Sequence, residues 1–507
     1  MIDSGLKDER LFLVLDEGTT STRAILYDDR GMRRAMSQAE LTQYYPAPGW
    51  VEHDAAEIRD RTIECAREMV AGAGGADRIA AIGIANQRET IVAWDRTSGE
   101  PVGRAIVWQD RRTAVQCATL RDEGHEALVS DRSGLVLDPY FSATKIAWVL
   151  ANNPEARALG SRLAVGTVES WLVWNLTGGL HISDASNASR TMLMNLDSGR
   201  WDDDLLALHG VPRSILPEIV DSCGELGSTS ADIFGAPIPV CGLIGDQQGA
   251  MIGQACLADG QTKATLGTGA FILSNTGDRP VRSAHRLLGT VLAQVGGKRS
   301  YALEGSIFVA GSLVQWLRDK LGIIKDASET EPLARSVESS GGVTILPALS
   351  GLGAPYWRAE ARAVIAGLTH GTGRAEIVRA ALESIAHQLD DLKTAYAGDG
   401  CDWNRLRLDG GMSANNWVAQ DIADILGLGV ERPHDVETTA RGAAMLAAVG
   451  IGRFSSLTEA ADMCGQSDRF DPVIKEDVRR ARLADWHRLV AQQERFSTMR
   501  TIEGSCR

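Results

Sequence analysis

The sequence predicts an α/β fold built as two related domains with a ligand cleft between them. Three observations carry this reading. The chain has 507 residues, more than one hydrophobic core usually holds, so two domains of roughly 250 residues are expected. Strand-like apolar runs alternate with stretches whose apolar residues recur at helical spacing. An apolar run that ends in glycine and threonine and turns back into a second strand occurs twice, at 11–27 and again at 263–271. This repeat implies one anion-gripping hairpin in each half, residues 1–254 and residues 255–507.

Taken in order, residues 11–16 form the first apolar run and end at Asp16, which opens the segment D-E-G-T-T-S-T-R. Gly18 lets backbone approach a ligand closely, and the hydroxyls of Thr19, Thr20 and Ser21 can bond anionic oxygens. Asp16 can hold a hydrated magnesium ion through water. The segment is not a P-loop, because G-x-x-x-x-G-K-[ST] is absent. Residues 23–27 and 32–40 complete an antiparallel meander, and 55–70 have helical spacing. The β-rich run 79–85 ends in the polar cluster Asn86, Gln87, Arg88, Glu89 and Thr90, and a strand returns at 91–95. Polar residues at strand ends are where open α/β sheets place ligands.

The run 240–244 presents Asp246 in the same way. Residues 263–266 form a strand before Gly267, Thr268, Gly269, Ala270 and Phe271. Residues 376–396 place Ile377, Ala381, Ile385, Leu389 and Leu392 on one helical face. The short strand 406–408 leads into D-G-G-M-S-A-N-N at 409–416. A helix is expected from about Ser413 as N-cap, its N-terminus and the glycines offering backbone to a nucleotide. Residues 438–449 are nearly all small and suit close helix packing. From about 458 onward the chain is charged and helical, which predicts a surface cap.

Composition narrows the partners. Apolar content of 44% and charged content of 23% are ordinary for soluble globular proteins. A net charge of −14 argues against nucleic acid, which needs a basic stripe. No run of about 18 apolar residues lacks a charge, so no membrane-spanning helix is expected. Residues 1–10 are polar and unlike a signal peptide. The eight cysteines are scattered without C-x-x-C or metal-ligand spacing, which implies reduced core fillers and a cytoplasmic chain.

Residues 16–23, 267–271 and 409–416 together resemble the two phosphate motifs and the adenosine motif of the actin-like ATPase (ribonuclease H-like) and sugar kinase superfamily. Y-F-S-A-T-K-I-A-W at 140–148 resembles the signature of its FGGY carbohydrate kinases. Segments 50–54, 86–90, 108–113, 245–248 and 301–305 are similar to those of the branch that phosphorylates glycerol. The similarity runs from residue 11 to 482. It implies ATP-dependent conversion of glycerol to sn-glycerol 3-phosphate with magnesium, in a homo-oligomer (dimer or tetramer).

The resemblance also implies roles. Asp246 is the general base, and Gln247 binds the other hydroxyls. Arg88 donates to hydroxyls and Glu89 accepts from two of them. Trp108, Tyr140 and Phe271 wall the C–H face. Thr19, Thr20, Ser21 and Arg23 grip phosphate from the first half and Thr268 from the second. Gly311 and Gln315 make further nucleotide contacts, Gly411, Met412 and Asn416 border adenosine, and Asp16 anchors magnesium through water. Glu17 stands where many relatives carry glutamine, and a carboxylate there repels phosphate unless it points away or binds metal. Met412 is bulkier than the alanine often found there. Residues 228–239 contain no lysine, arginine or histidine, so neither a basic inhibitor loop nor a phosphorylatable histidine is expected there. The alternatives left open are a kinase of another small polyol or a ketose, and a non-catalytic actin-like nucleotide switch.

Overall fold

The computed structural model describes residues 10–358 and 360–504, without the side chains of 494–504. Cys506 and all of the polar segment 1–10 except Arg10 lie outside the described residues. The first half is organised by strands β1 (Leu11–Glu17), β2 (Ser21–Tyr27), β3 (Arg33–Glu40), β4 (Ile79–Asn86), β5 (Cys223–Ser228) and β6 (Pro239–Gly245). They form one sheet in the order β5-β6-β4-β1-β2-β3. The second half repeats the scheme with β7 (Gln261–Leu266), β8 (Ala270–Asn275), β9 (Leu288–Val295), β10 (Lys298–Ile307), β11 (Arg405–Asp409), β12 (Val430–Pro433) and β13 (Ser467–Phe470). Their order is β9-β10-β8-β7-β11-β12-β13. In each sheet a central strand pairs antiparallel with the next strand, through the hairpin, and parallel with a later one. The repeat read from two short glycine-threonine turns is therefore a repeat of whole sheets.

Register explains where the ligand end lies. Parallel pairing puts Glu17 beside Asn86 and Asn86 beside Gly245, so three strand ends share one row. The segments leaving that row are 18–20, 87–90 and 246–248. In the second sheet Thr265 lies beside Asp409, and turns 267–269 and 410–415 leave from there. Carboxyl-terminal strand ends thus gather segments 18–20, 87–90 and 246–248 in the first half and 267–269 and 410–415 in the second.

The helices cover both faces. Helix α1 (Ala55–Ala73) starts at Asp54, whose side chain accepts from the N–H groups of Ala56 and Glu57. It buries Ile58, Cys65, Ala66 and Val70 against the first sheet. A second, four-stranded sheet (Glu52–His53, Ala105–Ile106, Ile91–Asp95, Leu163–Thr167) packs with helix α2 (Ser142–Asn152) into its own core. Helix α3 (Asp246–Gly253) follows β6 directly, and α4 (Gly311–Asp319) follows β10. Helices α5 (Arg374–Gly398) and α6 (Asn416–Leu426) bury Ile385, Leu389, Ile422 and Ile425 in the second core.

Helix α7 (Thr438–Gly450) comes from the second half yet packs on the first sheet, as the small residues of 438–449 permit. A Cβ on Gly242 of β6 would lie 2.7 Å from the Ala447 backbone nitrogen, so only glycine admits this approach.

Two expectations need correction. The helix after 409–416 is capped by Asn415, whose side chain accepts from Val418 N–H at 3.1 Å. Ser413 sits two residues earlier, in a 3-10 turn, with its hydroxyl donating back to Gly410 O at 2.7 Å. Its side chain is thus turned back onto the preceding turn rather than over the start of the helix. The tail beyond 458 is more than a surface cap: β13 joins the second sheet beside β12. In the last helix, α8 (Glu476–Gly504), Trp486 is fully buried and donates to Asp391 at 2.8 Å. A charged composition hid one strand and one anchor. All seven cysteines among the described residues are free.

Candidate active site

The first hairpin turns at Gly18, Thr19 and Thr20, closed by Gly18 N–H donating to Ser21 O at 3.0 Å. Thr20 is exposed, Thr19 is half-buried, and the Ser21 hydroxyl accepts from Gln38 at 3.0 Å. Thr19 also takes the Trp108 indole N–H on its hydroxyl oxygen at 2.9 Å. A residue expected to grip phosphate therefore touches a residue expected to wall the acceptor. Asp16 is only 4% exposed, beside Arg23 at 3.4 Å. Burial pushes its carboxyl up to about 6 against the pull of Arg23, and the carboxylates of Glu437 and Asp246 add to the rise. Arg23 also pairs with Glu437 at 2.6 Å, which ties β2 to the segment just before α7.

Glu17 alternates to the other face of β1. It is fully buried, and Thr62 of α1 donates to its Oε2 at 3.2 Å. It therefore points into the core rather than at the turn, and burial pushes its carboxyl well up, toward the neutral form. Of the options left by the sequence, repelling phosphate, pointing away or binding metal, the structure shows a side chain that points away, toward Thr62 of α1.

The residues expected at the acceptor end form a chain of charges, buried apart from the half-buried Asp246. Asp246 opens α3, and its Oδ1 receives the Gln247 N–H at 2.7 Å and faces Arg88 Nε at 3.0 Å. Arg88 Nη1 donates to Glu304 at 2.6 Å. Glu304 accepts Arg190 Nη2 at 3.0 Å on its other oxygen, and Arg190 Nε donates to Glu89 Oε1 at 2.6 Å. Arg88, Glu89, Arg190 and Glu304 are all at most 3% exposed. Burial pushes Glu304 up, but the Arg190 and Arg88 guanidiniums outweigh it and hold the carboxyl at about 2. Burial also raises Glu89, with Arg88 and Arg190 opposing. Glu89 sits at φ 62°, a left-handed conformation that is unusual for this residue type.

The aromatic wall closes this end. Trp108 stands edge-on to Tyr140 at 5.6 Å and to Phe271 at 6.4 Å between ring centroids. Phe271 belongs to β8 of the second sheet, so the wall spans both halves. Lys263 of β7 is fully buried and donates to Gln247 Oε1 and to Thr265 at 2.9 Å. Because lysine only donates, it fixes the Gln247 amide oxygen inward and leaves the amide nitrogen free to donate. Burial pulls the Lys263 ammonium down to about 8.

The second hairpin is braced from behind. Thr268 O accepts from the N–H groups of Ala310 at 2.9 Å and Ser312 at 3.0 Å, and Gly267 O accepts from Gly311 at 2.9 Å. A Cβ on Gly311 would lie 2.6 Å from Gly267 O and 3.2 Å from Met412 Cγ, so α4, the turn and the 409–416 segment converge there. Gln315, Gly411 and Asn416 are exposed, and Met412 is half-buried. The Asn416 amide oxygen accepts from Arg432 at 2.9 Å.

The expected residues thus fall into two connected groups, with Asp16 and Asp246 where the groups meet. Sequence reasoning missed Arg190, Glu304, Lys263 and Gln87, although Gln87 and Glu304 lie inside segments read as distinctive. Gln87 donates to Gly18 O at 3.0 Å and props the first turn. Two other distinctive segments, 50–54 and 108–113, are joined by scaffold contacts, while Trp108 itself stands in the aromatic wall. Arg112 is clamped by Asp110 and Glu52, both at 2.8 Å, and lies over the Trp50 ring at 3.8 Å.

Residues 11–253 match the model of the N-terminal domain of the FGGY family of carbohydrate kinases, and residues 262–451 match its C-terminal domain. A glycerol kinase of Methylobacterium nodulans is 52% identical, over 95% of this chain and 97% of its own. One of Alcanivorax borkumensis is 51% identical, over 95% and 97%. The crystal structure of Plasmodium falciparum glycerol kinase with ADP superposes with a TM-score of 0.92 at 36% identity, covering 96% of this chain and 98% of that one. A xylulose kinase of Rhodospirillum rubrum shares the fold with a TM-score of 0.86 at 24% identity, over 96% and 100%.

Proposed function

The chain belongs to the FGGY family of carbohydrate kinases, and we propose that it transfers the γ-phosphoryl group of ATP to a terminal hydroxyl of glycerol, giving ADP and sn-glycerol 3-phosphate. Residues 1–254 hold the polyol and the first phosphate turn; residues 255–507 supply the second turn and the adenosine border. The observation that carries this reading is Asp246. Its Oδ1 is occupied by Gln247 N–H and Arg88, which leaves Oδ2 to receive a proton.

In the reaction, Asp246 Oδ2 accepts the hydroxyl proton as that oxygen bonds to the γ-phosphorus. The bond from phosphorus to the bridging oxygen breaks, and ADP leaves with that electron pair. Most of the work is positioning and charge stabilisation. Arg88 donates its uncommitted Nη2, Glu89 accepts through Oε2, and Gln247 donates through its amide nitrogen. Trp108, Tyr140 and Phe271 cover the carbon face. Thr19, Thr20 and Ser21 with Arg23, and Thr268 opposite, hold the phosphates. Gly311, Gln315, Gly411, Met412 and Asn416 border the nucleoside.

Asp16 fits magnesium. Among the described residues no group of three or more His, Cys, Asp or Glu side chains could hold a metal. An ion here would rely on one carboxylate, water and the phosphates, as magnesium commonly does. A carboxyl raised to about 6 by burial gains from a neighbouring cation, which keeps it ionised. The ion, when bound, neutralises phosphate charge. No helix of the described residues is long and apolar enough to cross a membrane, and the reading places the chain in the cytoplasm as a homo-oligomer.

The test is ADP release with magnesium-ATP across glycerol, dihydroxyacetone, erythritol and xylulose. Glycerol should give the highest kcat/KM. A higher value for xylulose, or ADP release that ignores every acceptor, overturns the reading.

A further inference from the structure

Resting on the glycerol reading, we infer that Arg190, held by Glu304 of the second half, is a positioning residue that sets the polyol site by fixing Glu89, Tyr140 and Arg88 together. Arg190 is fully buried and belongs to none of the expected ligand contacts. It nonetheless contacts two residues of that site directly and a third, Arg88, through Glu304. Its Nε donates to Glu89 Oε1 at 2.6 Å. Its guanidinium carbon lies 5.6 Å from the Tyr140 ring centroid and 5.2 Å from that of Phe141. Its Nη2 reaches Glu304 Oε1 at 3.0 Å, and Glu304 Oε2 in turn takes Arg88 Nη1 at 2.6 Å.

The geometry does two things. It assigns one oxygen of Glu89 to protein, so the other is aimed at substrate in a single orientation. It also routes that aim through Glu304 on β10, so the polyol contacts of the first half depend on the second sheet being in place. Arginine suits this post because its planar fork reaches two carboxylates at once while its face lies against aromatic rings. Lysine keeps the charge but cannot make both bonds in one plane.

The charge has a further consequence. Glu89 is faced by Arg88 beside it, by Arg190, by Glu304 of β10, by the Tyr140 phenol and by Lys145 of α2. Burial already raises its carboxyl, and Arg190 is one of the two guanidiniums that oppose the rise. Without Arg190, Glu89 takes up a proton more readily. A protonated carboxyl loses acceptor capacity toward glycerol hydroxyls.

The experiment uses the full chain with Arg190→Gln, Arg190→Lys and Glu304→Gln, each checked by thermal unfolding. Glycerol binding is measured calorimetrically, and KM and kcat for glycerol and ATP from pH 6 to 9. Arg190→Gln should raise the glycerol KM about tenfold or more, the size expected on losing a charge-assisted bond, with the ATP KM changed by less than about twofold. That glycerol KM should fall as pH rises, more steeply than in the unaltered protein. Arg190→Lys should restore the shallow pH profile with an intermediate KM. Glu304→Gln should raise the glycerol KM severalfold, and it decides the matter if Arg190→Gln does not fold. The inference is overturned by a glycerol KM within about twofold of normal at every pH. It is equally overturned by a rise shared in proportion by glycerol and ATP, or by one that is independent of pH and not rescued by lysine. Failure of the unaltered protein to phosphorylate glycerol would instead remove the reading on which it rests.

Discussion

The two ends of the proposed site are built by opposite rules. At the polyol end, Arg88, Glu89, Arg190 and Glu304 are buried side chains locked to one another. At the nucleotide end, Thr20, Gly411, Gln315 and Asn416 are exposed, and backbone bonds such as Gly311 N–H to Gly267 O set the shape. A neutral three-carbon acceptor offers only hydroxyls, so recognition must come from prearranged donors and acceptors that water cannot replace. A polyphosphate carries charge enough to be held by turn amides and hydroxyls at the surface. Substitutions should therefore act on chemistry and acceptor at one end, and on ATP affinity alone at the other.

The largest expected effect is at Asp246, where the two ends meet. Asp246→Asn should lower kcat by roughly 10²–10⁴-fold, the range for removing a general base, with the glycerol KM little changed because asparagine retains Oδ1 for Gln247 and Arg88. Near-normal turnover would take Asp246 out of the mechanism.

The second effect isolates the nucleotide end. Thr268→Val keeps the shape of the second turn, whose backbone oxygen is already held by Ala310 and Ser312, and removes only the hydroxyl. The ATP KM should rise about tenfold, as for one bond to a charged group, while the glycerol KM stays within about twofold. Equal rises in both would mean that the two ends are not separable and would break the comparison.

The comparison also explains what the sequence could and could not disclose. Backbone-built features leave local marks, and they were legible: D-E-G-T-T-S-T-R, G-T-G at 267–269 and D-G-G at 409–411 all sit at turns between the predicted elements. The repeat of whole sheets was legible only as a hint, because β9, β10, β12 and β13 carry no such mark. Side-chain networks leave none. Arg190 and Glu304 are 114 positions apart, and nothing local distinguishes a buried arginine from a solvated one. Lys263 was hidden in the same way, in a strand where a lysine usually faces water. The position of the helix cap at Asn415 rather than Ser413, two residues earlier, depended on which way each polar side chain turned, which only the folded turn decides.

The smallest effect is at Glu17, and it sharpens the comparison most finely, because this carboxyl lies next to Asp16 in sequence yet belongs to the core. Among the described residues Glu17 Oε1 has no hydrogen-bond partner, and burial raises the carboxyl well above its ordinary value. A group whose pKa is raised on folding contributes stability that is fully present below its unfolded pKa, near 4.3, and lost as pH rises toward the folded value. Glu17→Gln removes the titration and keeps the shape. The variant should gain on the unaltered protein as pH rises from 5 to 8, with a thermal midpoint shift of about 2–4 °C for each kcal/mol relieved in a domain of this size. Its ATP KM should stay within about twofold of normal, since the side chain points away from the phosphates. A midpoint difference that is flat with pH, or an ATP KM that falls severalfold in Glu17→Gln, would mean that Glu17 is ionised and faces the nucleotide, making it part of the exposed end.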